Sequence, residues 1–558
     1  MLYIKNGIVV DPKNKIKAEK MDIFIKDGKI VEEKDVKKSE CKVIDASGKL
    51  VVAGGVELHS HIAGSKINTG RVMRPEEMRY VRLVAGKFRA CVGRILMNAP
   101  AIGYEYAKMG YTTAVEPAVP PIGSPHTHEE LDSIPMLDKL ALPVFGNWHL
   151  VLKFVAEKNI EKLKAFIAWA LERTKGFGVK VVNPGGVEAW MYGGNMKSLD
   201  DKVPGFGVTP REIILSLVEA NEKLKLPHSV HLHCNNLGIP GNYTTTVESI
   251  KLASKFSNDK RQVLHITHVQ FNAYAGDSWR NVASGAAEIA KAVNSENVTI
   301  DMGQAIFGPA TAMTGDAPFQ FTLHKLLGAR WSNKDSEVES GAGIVPIAYL
   351  PSNPVHTVQW AIGLELGLLC DSNKVVIATD YPNGGPFTEY AYVIAMLMSK
   401  KMRENELKRV HQYAQKATVL PTIETERTLE EVINMTRSLP AKILGLENKG
   451  HLGIGADADV AIYDMNPLEV DTSSEFEKVY KVFKTALYTI KGGEIIVKDK
   501  ELVKEVWGRT FWIDATKKVD PSLIKQDLED YFKYYTVEIE NYGVDEAWMR
   551  NPQRIKVV

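Results

Sequence analysis

The feature that most constrains this chain begins at Val51. From there to about residue 440, short β-branched runs alternate with longer helical stretches. Strand periodicity followed by helix periodicity, repeated this many times, is the signature of a parallel sheet with helical crossovers, and its closed form is a TIM-type (β/α)8 barrel. We read eight core strands, ending near His61, Glu116, His149, Asn183, His233, His268, Gly303 and Asp380. Helices are expected over residues 75–97, 161–174, 210–224 and 283–294. Residues 307–354 are too long for an ordinary βα loop and read as a lid or substrate loop.

The two ends of the chain share another pattern. Residues 2–10, 21–26 and 29–31 alternate apolar and polar and are broken by KNG, DPKN and KDGK turns. Residues 452–497 return to that pattern, and Lys491-Gly492-Gly493-Glu494 echoes Lys26-Asp27-Gly28-Lys29. The expected organisation is an α/β chain in which the barrel (53–440) is inserted in a small β-sandwich domain made from both chain ends (1–52 and 441–500). Residues 501–558, aromatic-rich and charged, are expected to form an arm against the barrel or a partner protein.

A net charge of +1 over 558 residues gives no bulk argument for nucleic acid or an anionic membrane as partner. Cys41, Cys91, Cys234 and Cys370 form no CxxC, so no self-contained iron–sulfur motif or zinc ribbon is expected; with no pterin motif either, no redox cofactor is expected in this chain. Their scatter suits a reducing, cytoplasmic setting. The first residues lack the longer apolar stretch of a signal peptide, and no run approaches the ~18 apolar residues of a membrane span.

The chemistry sits at the expected strand ends. His59 and His61, two apart, can point together into a barrel mouth and offer imidazoles to a first-row metal. His233 and His268 end two later strands, at the face where barrels build active sites. His231 shares the face of His233, so either could be the ligand; His233 is favoured because it lies nearer the strand end. His265, three before His268, should face away and pack or cap. Asp380 ends the run Val375-Val376-Ile377-Ala378-Thr379 and could bind a metal and accept a proton from water, or simply cap a turn. Lys180, in a β-branched run, is hard to place: an ammonium is costly to bury and is no ligand, although carbamylation by CO2 would make it a carboxylate able to bridge two cations. By position alone, Asn147, His149, Asn183 and Asn235 are candidate substrate contacts, and Arg71 and Arg74 could meet an anionic cofactor tail or be solvated loop charges. His126 and His128 form a second HxH, read as a site-lining loop or as an ordinary polar helix start.

The order HxH, Lys, His, His, Asp resembles the binuclear metal branch of the amidohydrolase superfamily, as does the segment from Pro440 to Asp459. That resemblance implies two divalent ions, with zinc the default. His59 and His61 would bind one, Lys180 as N6-carboxylysine would bridge, and His233 and His268 would bind the second. Asp380 would bind metal and carry the catalytic proton. Further stretches resemble one family in particular, the A-subunit family of formylmethanofuran dehydrogenase. They are Glu57 to Lys66, Asn68-Thr69-Gly70-Arg71, Met73-Arg74-Pro75-Glu76, Gly110-Tyr111-Thr112-Thr113, Pro125 to Leu131, Asn183-Pro184-Gly185-Gly186 and His233 to Gly238. A component of the methylotrophic bacterial formyltransferase/hydrolase complex shares the pattern; the lysine-rich composition leans to the archaeal enzyme of methanogenesis.

This resemblance implies an amidohydrolase-like subunit that condenses formate with the amine of methanofuran, reversibly, as part of CO2 fixation. The formate would come from CO2 reduction in a tungsten- or molybdenum-pterin, formate dehydrogenase-like partner subunit served by iron–sulfur subunits. Two rivals stand beside it: a stand-alone cyclic-amide hydrolase of the dihydropyrimidinase or hydantoinase kind, and a catalytically inactive scaffold. All six ligand positions are filled, which argues against the scaffold.

Overall fold

The structure is a computed structural model that describes residues 1–83, 86–335, 341–533 and 537–557. Eight parallel strands appear in the expected order: β1 (Gly55–Glu57), β2 (Tyr111–Val119), β3 (Asp138–Pro143), β4 (Lys180–Val182), β5 (Val230–His233), β6 (Leu264–Ile266), β7 (Val298–Asp301) and β8 (Val375–Val376). They form two arcs, β1-β2-β3 and β4-β5-β6-β7-β8, each hydrogen-bonded strand to strand. Among the described residues the arcs meet through single parallel bridges, Val144 with Lys180 and Ser60 with Tyr381, so the ladder is not continuous around the barrel. β3 stops at Pro143, and His149 instead opens the helix His149–Ala156.

The helix Pro210–Leu224 lies where expected, opened by a Thr209–Glu212 capping box and by proline at its first position. The helix expected over 75–97 does not form. Pro75–Arg79 is a 3-10 turn, and Val81–Leu83 pairs with Cys91–Val92. Gly93, at φ +100, explains part of this: a Cβ there would lie 2.6 Å from the Met97 Cα, so the chain turns where a helix would need to continue.

Both chain ends build one nine-stranded sheet, in which Leu50–Ala53 pairs with Val460–Tyr463. The turns at Asp27-Gly28 and Gly492-Gly493 all have positive φ, the backbone that tight hairpins require. Residues beyond 501 are not merely draped over the barrel. Thr510–Asp514 (β9) pairs in parallel with β3, and Pro552–Lys556 (β10) extends the same sheet. Ile513 N donates to Gly176 O, so β9 sits in the wall between β3 and the segment leading into β4. Within the 307–354 insertion, Gly308–Ala312, Ser332–Asp335 and Gly341–Tyr349 form a small sheet beside the helix Ala317–Leu327; residues 336–340 lie outside the described residues.

Below the barrel, Asp138 at the start of β3 meets Asp457 and Asp459 of the β domain. This acidic trio is filled by cations: Lys449 Nζ lies 2.5 Å from Asp138, 2.8 Å from Asp459 and 3.2 Å from Asp457. Lys491 Nζ and Arg509 lie 2.8 Å from Asp138. It is an ion network joining barrel, β domain and arm.

Candidate metal centre

The strand register brings the chemistry together. Lys180, His231, His265 and Thr299 stand opposite one another across β4 to β7, and neighbours in register face the same side of a sheet. His265 therefore faces the barrel interior, contrary to the parity argument. Its ring is 4.8 Å from that of His231, and its two nitrogens lie 2.9 Å from Thr299 Oγ1 and 3.3 Å from Asp301 Oδ2. Parity fails because β6 ends at Ile266 and His268 has a left-handed backbone, φ +38. Asn183 (φ +39) and Asp380 (φ +50) are turned in the same way beyond β4 and β8. Such backbone costs about 1–3 kcal/mol at a non-glycine residue and persists where its surroundings enforce it.

His59 is the hub. Its Nδ1 lies 2.9 Å from His231 Nε2 and 3.7 Å from Asp301 Oδ2, and its Nε2 lies 3.0 Å from Asp380 Oδ1. His61 Nε2 approaches the same Asp380 oxygen at 3.3 Å, while His61 Nδ1 faces Glu116 Oε1 at 3.2 Å. The rings of His233 and His268 meet edge to face at 4.7 Å, and the His268 ring is 5.2 Å from that of His59. Lys180 Nζ, fully buried, donates to Thr267 Oγ1 at 3.4 Å.

Burial governs the charges. It drives His59, His231, His233 and His268 below the usual imidazole range, so each is neutral, as a metal ligand must be. His61 moves the other way: burial opposes its charge, but Asp380 and Glu116 outweigh burial. Burial also pushes the Lys180 amine down to about 7, against the pull of Asp380 and Asp301, and so favours the neutral amine that reacts with CO2. The Asp380 carboxyl is raised by burial.

The donor set fits metal. Ligand atoms of His59, His268 and Asp380 lie within 4.8 Å of one another, and so do those of His59, His231 and Asp301. His59 Nε2, His268 Nδ1 and Asp380 Oδ2 are buried without a hydrogen bond, a costly state unless something else satisfies them. Imidazole and carboxylate together suit a divalent first-row ion.

Other expected residues are engaged elsewhere. The Asn147 amide donates to Val182 O at 2.6 Å and accepts from Val187 N, pinning the loop beyond β4. Asn183 Oδ1 accepts from Asn235 Nδ2 at 2.8 Å, and Asn235 Nδ2 also reaches Pro184 O. His149 pairs with Glu188 and packs on Phe206 and Tyr531. Arg71 is held by Glu130, Asn68 and Met97 O. His126 and His128 lie on the helix Ser124–Leu131, where two residues apart means different faces: His126 meets Asn68, and His128 faces Thr174 O.

Sequence reasoning misses several carboxylates here. Asp301 accepts from His268 N at 2.7 Å and touches His265. Glu116 accepts from Ile62 N and Ala63 N as well as facing His61. Glu57 accepts from His59 N, and burial pushes its carboxyl up to about 8. Asp316, from the insertion, lies 3.3 Å from His233 Nε2. Asp301 carries the same signal as Asp380, an aspartate closing a β-branched run; Asp316 has no signal beyond its place in a long loop.

A family description, "Amidohydrolase family", matches residues 42–497. The chain belongs to the amidohydrolase family. Among amidohydrolases, it is 47% identical over 566 aligned residues to Protein FwdA of Methanocaldococcus jannaschii, covering 99% of this chain and 98% of that one. It is 37% identical to the A-subunit of the formyltransferase/hydrolase complex Fhc of Methylorubrum extorquens, covering 98% and 96%. Its fold superposes at a TM-score of 0.89, with 34% identity and full coverage of both chains, on a chain from the crystal structure of the formyltransferase/hydrolase complex FhcABCD of Methylorubrum extorquens in complex with methylofuran. Within the amidohydrolases, this chain is a member of the A-subunit family that its motifs resemble. No described helix is long and apolar enough to cross a membrane.

Proposed function

We propose that this chain forms and hydrolyses the amide bond of N-formylmethanofuran, as the amidohydrolase-like subunit of a formylmethanofuran dehydrogenase. The observation that carries this reading is end-to-end likeness to FwdA and to the Fhc relative, on a barrel whose histidines and aspartates converge at one mouth. His59, His61, Lys180, His233, His268 and Asp380 would hold two divalent ions, zinc being the default for such donors, with Lys180 as a carboxylated bridge. His231, directly opposite Lys180 in register and 2.9 Å from His59, is the alternative ligand deeper in the barrel. Two bound cations would supply Lewis acidity and lower the pKa of water.

The chain's own groups do the rest. Asp380 Oδ2, buried and unbonded, would take in turn the two protons that the substrate ammonium loses as the C–N bond forms and pass them to the formate oxygen, which departs as water; in hydrolysis the protons run the other way. Glu116 and Asp301 orient His61 and His268. Formate would be delivered by a partner subunit carrying tungsten or molybdenum with a pterin, served by iron–sulfur subunits.

The test is metal content beside a Lys180→Ala variant, with turnover of N-formylmethanofuran and hydantoin by wild type. We expect about two metals per chain, falling to one or none in the variant, and hydrolysis of N-formylmethanofuran but not of hydantoin. One metal or none, unchanged by the variant, sinks the bridged centre. Hydantoin opening would move the protein to the cyclic-amide hydrolases.

A further inference from the structure

Among the described residues, Asp316 is the carboxylate near the candidate centre that comes from the insertion and not from a barrel strand. Its two oxygens have separate tasks. Oδ1 accepts from Phe319 N at 3.2 Å and caps the helix Ala317–Leu327, while Oδ2 faces His233 Nε2 at 3.3 Å. The side chain is buried. A carboxylate closed off from water is stabilised by a cation or by N–H donors, and an amine head offers them.

The same helix also builds an apolar wall. Phe319 and Leu323 line a cavity of about 190 Å³ together with Phe271 and Trp279. Two of its polar lining residues, Thr314 and Asn383, hydrogen-bond the two aspartates beside the mouth. Thr314 Oγ1 accepts from Asp316 N at 3.2 Å, and Asn383 Nδ2 donates to Asp380 Oδ1 at 3.0 Å. An apolar or aromatic body in the cavity would put an attached amine next to the Thr314–Phe319 turn, where Asp316 lies.

We propose that Asp316 seats the nitrogen of the amine substrate, making the insertion the part of this chain that selects an amine joined to an apolar body. The inference rests on the amide-forming reading above and supplies the residue that recognises its amine. Asp316 is a specificity residue here and holds no metal. The barrel supplies the metal donors, and the insertion supplies the seat.

Asp316→Asn separates the charge from the cap, because asparagine caps helices as well as aspartate does. Benzylamine serves as the probe and benzyl alcohol as its uncharged control, each titrated calorimetrically into the metal-loaded full chain. In the variant the Kd for benzylamine should rise about tenfold or more, the scale of a charge-assisted hydrogen bond. Benzyl alcohol binding, metal content and Tm should stay as in wild type. Asp316→Glu should recover part of the loss, and Leu323→Ala should weaken both probes alike. Equal benzylamine affinity in wild type and variant, or no binding in either, overturns the proposal. Metal loss in Asp316→Asn also overturns it, since Asp316 would then serve the metal centre. The amide-forming reading fails on a different observation, absence of N-formylmethanofuran turnover by wild type, and the binding comparison is readable in either case.

Discussion

At the scale of single residues, the candidate centre would depend on side chains that touch the proposed ligands as much as on those ligands themselves. Glu116 meets the Nδ1 of His61 and also ties down the two backbone amides that follow it, so it fixes both ring and loop. We expect Glu116→Ala to weaken metal affinity about 10–100-fold, measured by competition with a chelator, while the fold persists. Which residues are legible in the sequence follows from geometry. His59, His61, His233, His268 and Asp380 can be read because each closes a hydrophobic run. His265 is misjudged when alternation is carried through a left-handed residue, where it no longer applies. Asn147, His149 and Arg71 rest on position alone, and position does not reveal that a neighbouring backbone or carboxylate already occupies them.

At the scale of elements, the alternation of strand and helix is readable over most of the barrel, because buried parallel strands need β-branched runs and their crossover helices need a single apolar stripe. The stretch 75–97 misleads: its apolar residues suggest a helix, but Pro75 and Gly93 divide it into a 3-10 turn and two short strands. The last stretch of chain reads as an arm, and its role in the wall is hidden because β9 finds its partner, β3, some 370 residues earlier. Sequence carries no local sign of so distant a pairing. Ile513 is fully buried in the main core. Ile513→Ala should cost about 2–5 kcal/mol, seen as a lower denaturant midpoint with metal content unchanged.

At the scale of the whole molecule, the ion network under the barrel is what fastens the three parts together. Burial alone would raise the carboxyls of Asp138 and Asp459, but Lys449 and Lys491 hold both below the usual range. A carboxylate depressed in the folded state stabilises it above the unfolded value near 3.9 and loses that contribution as pH falls through the folded value. Thermal stability should therefore drop steeply on acidification below about pH 4. Asp138→Asn should be about 3–5 kcal/mol less stable at pH 7, because it leaves two buried lysines undercompensated, and should lose less than wild type on acidification. A scan of Tm between pH 2.5 and 6 on both proteins checks this. The place of β9 also bears on how the protein is made. The β domain pairs residues near 50 with residues near 460, and the wall between β3 and β4 takes a strand from beyond 510. Neither can form until most of the chain has been made, so the first strands of the β domain and the outer edge of β3 wait for their partners while hundreds of residues are synthesised. A topology that closes only at its end makes biosynthesis a race between completion and aggregation.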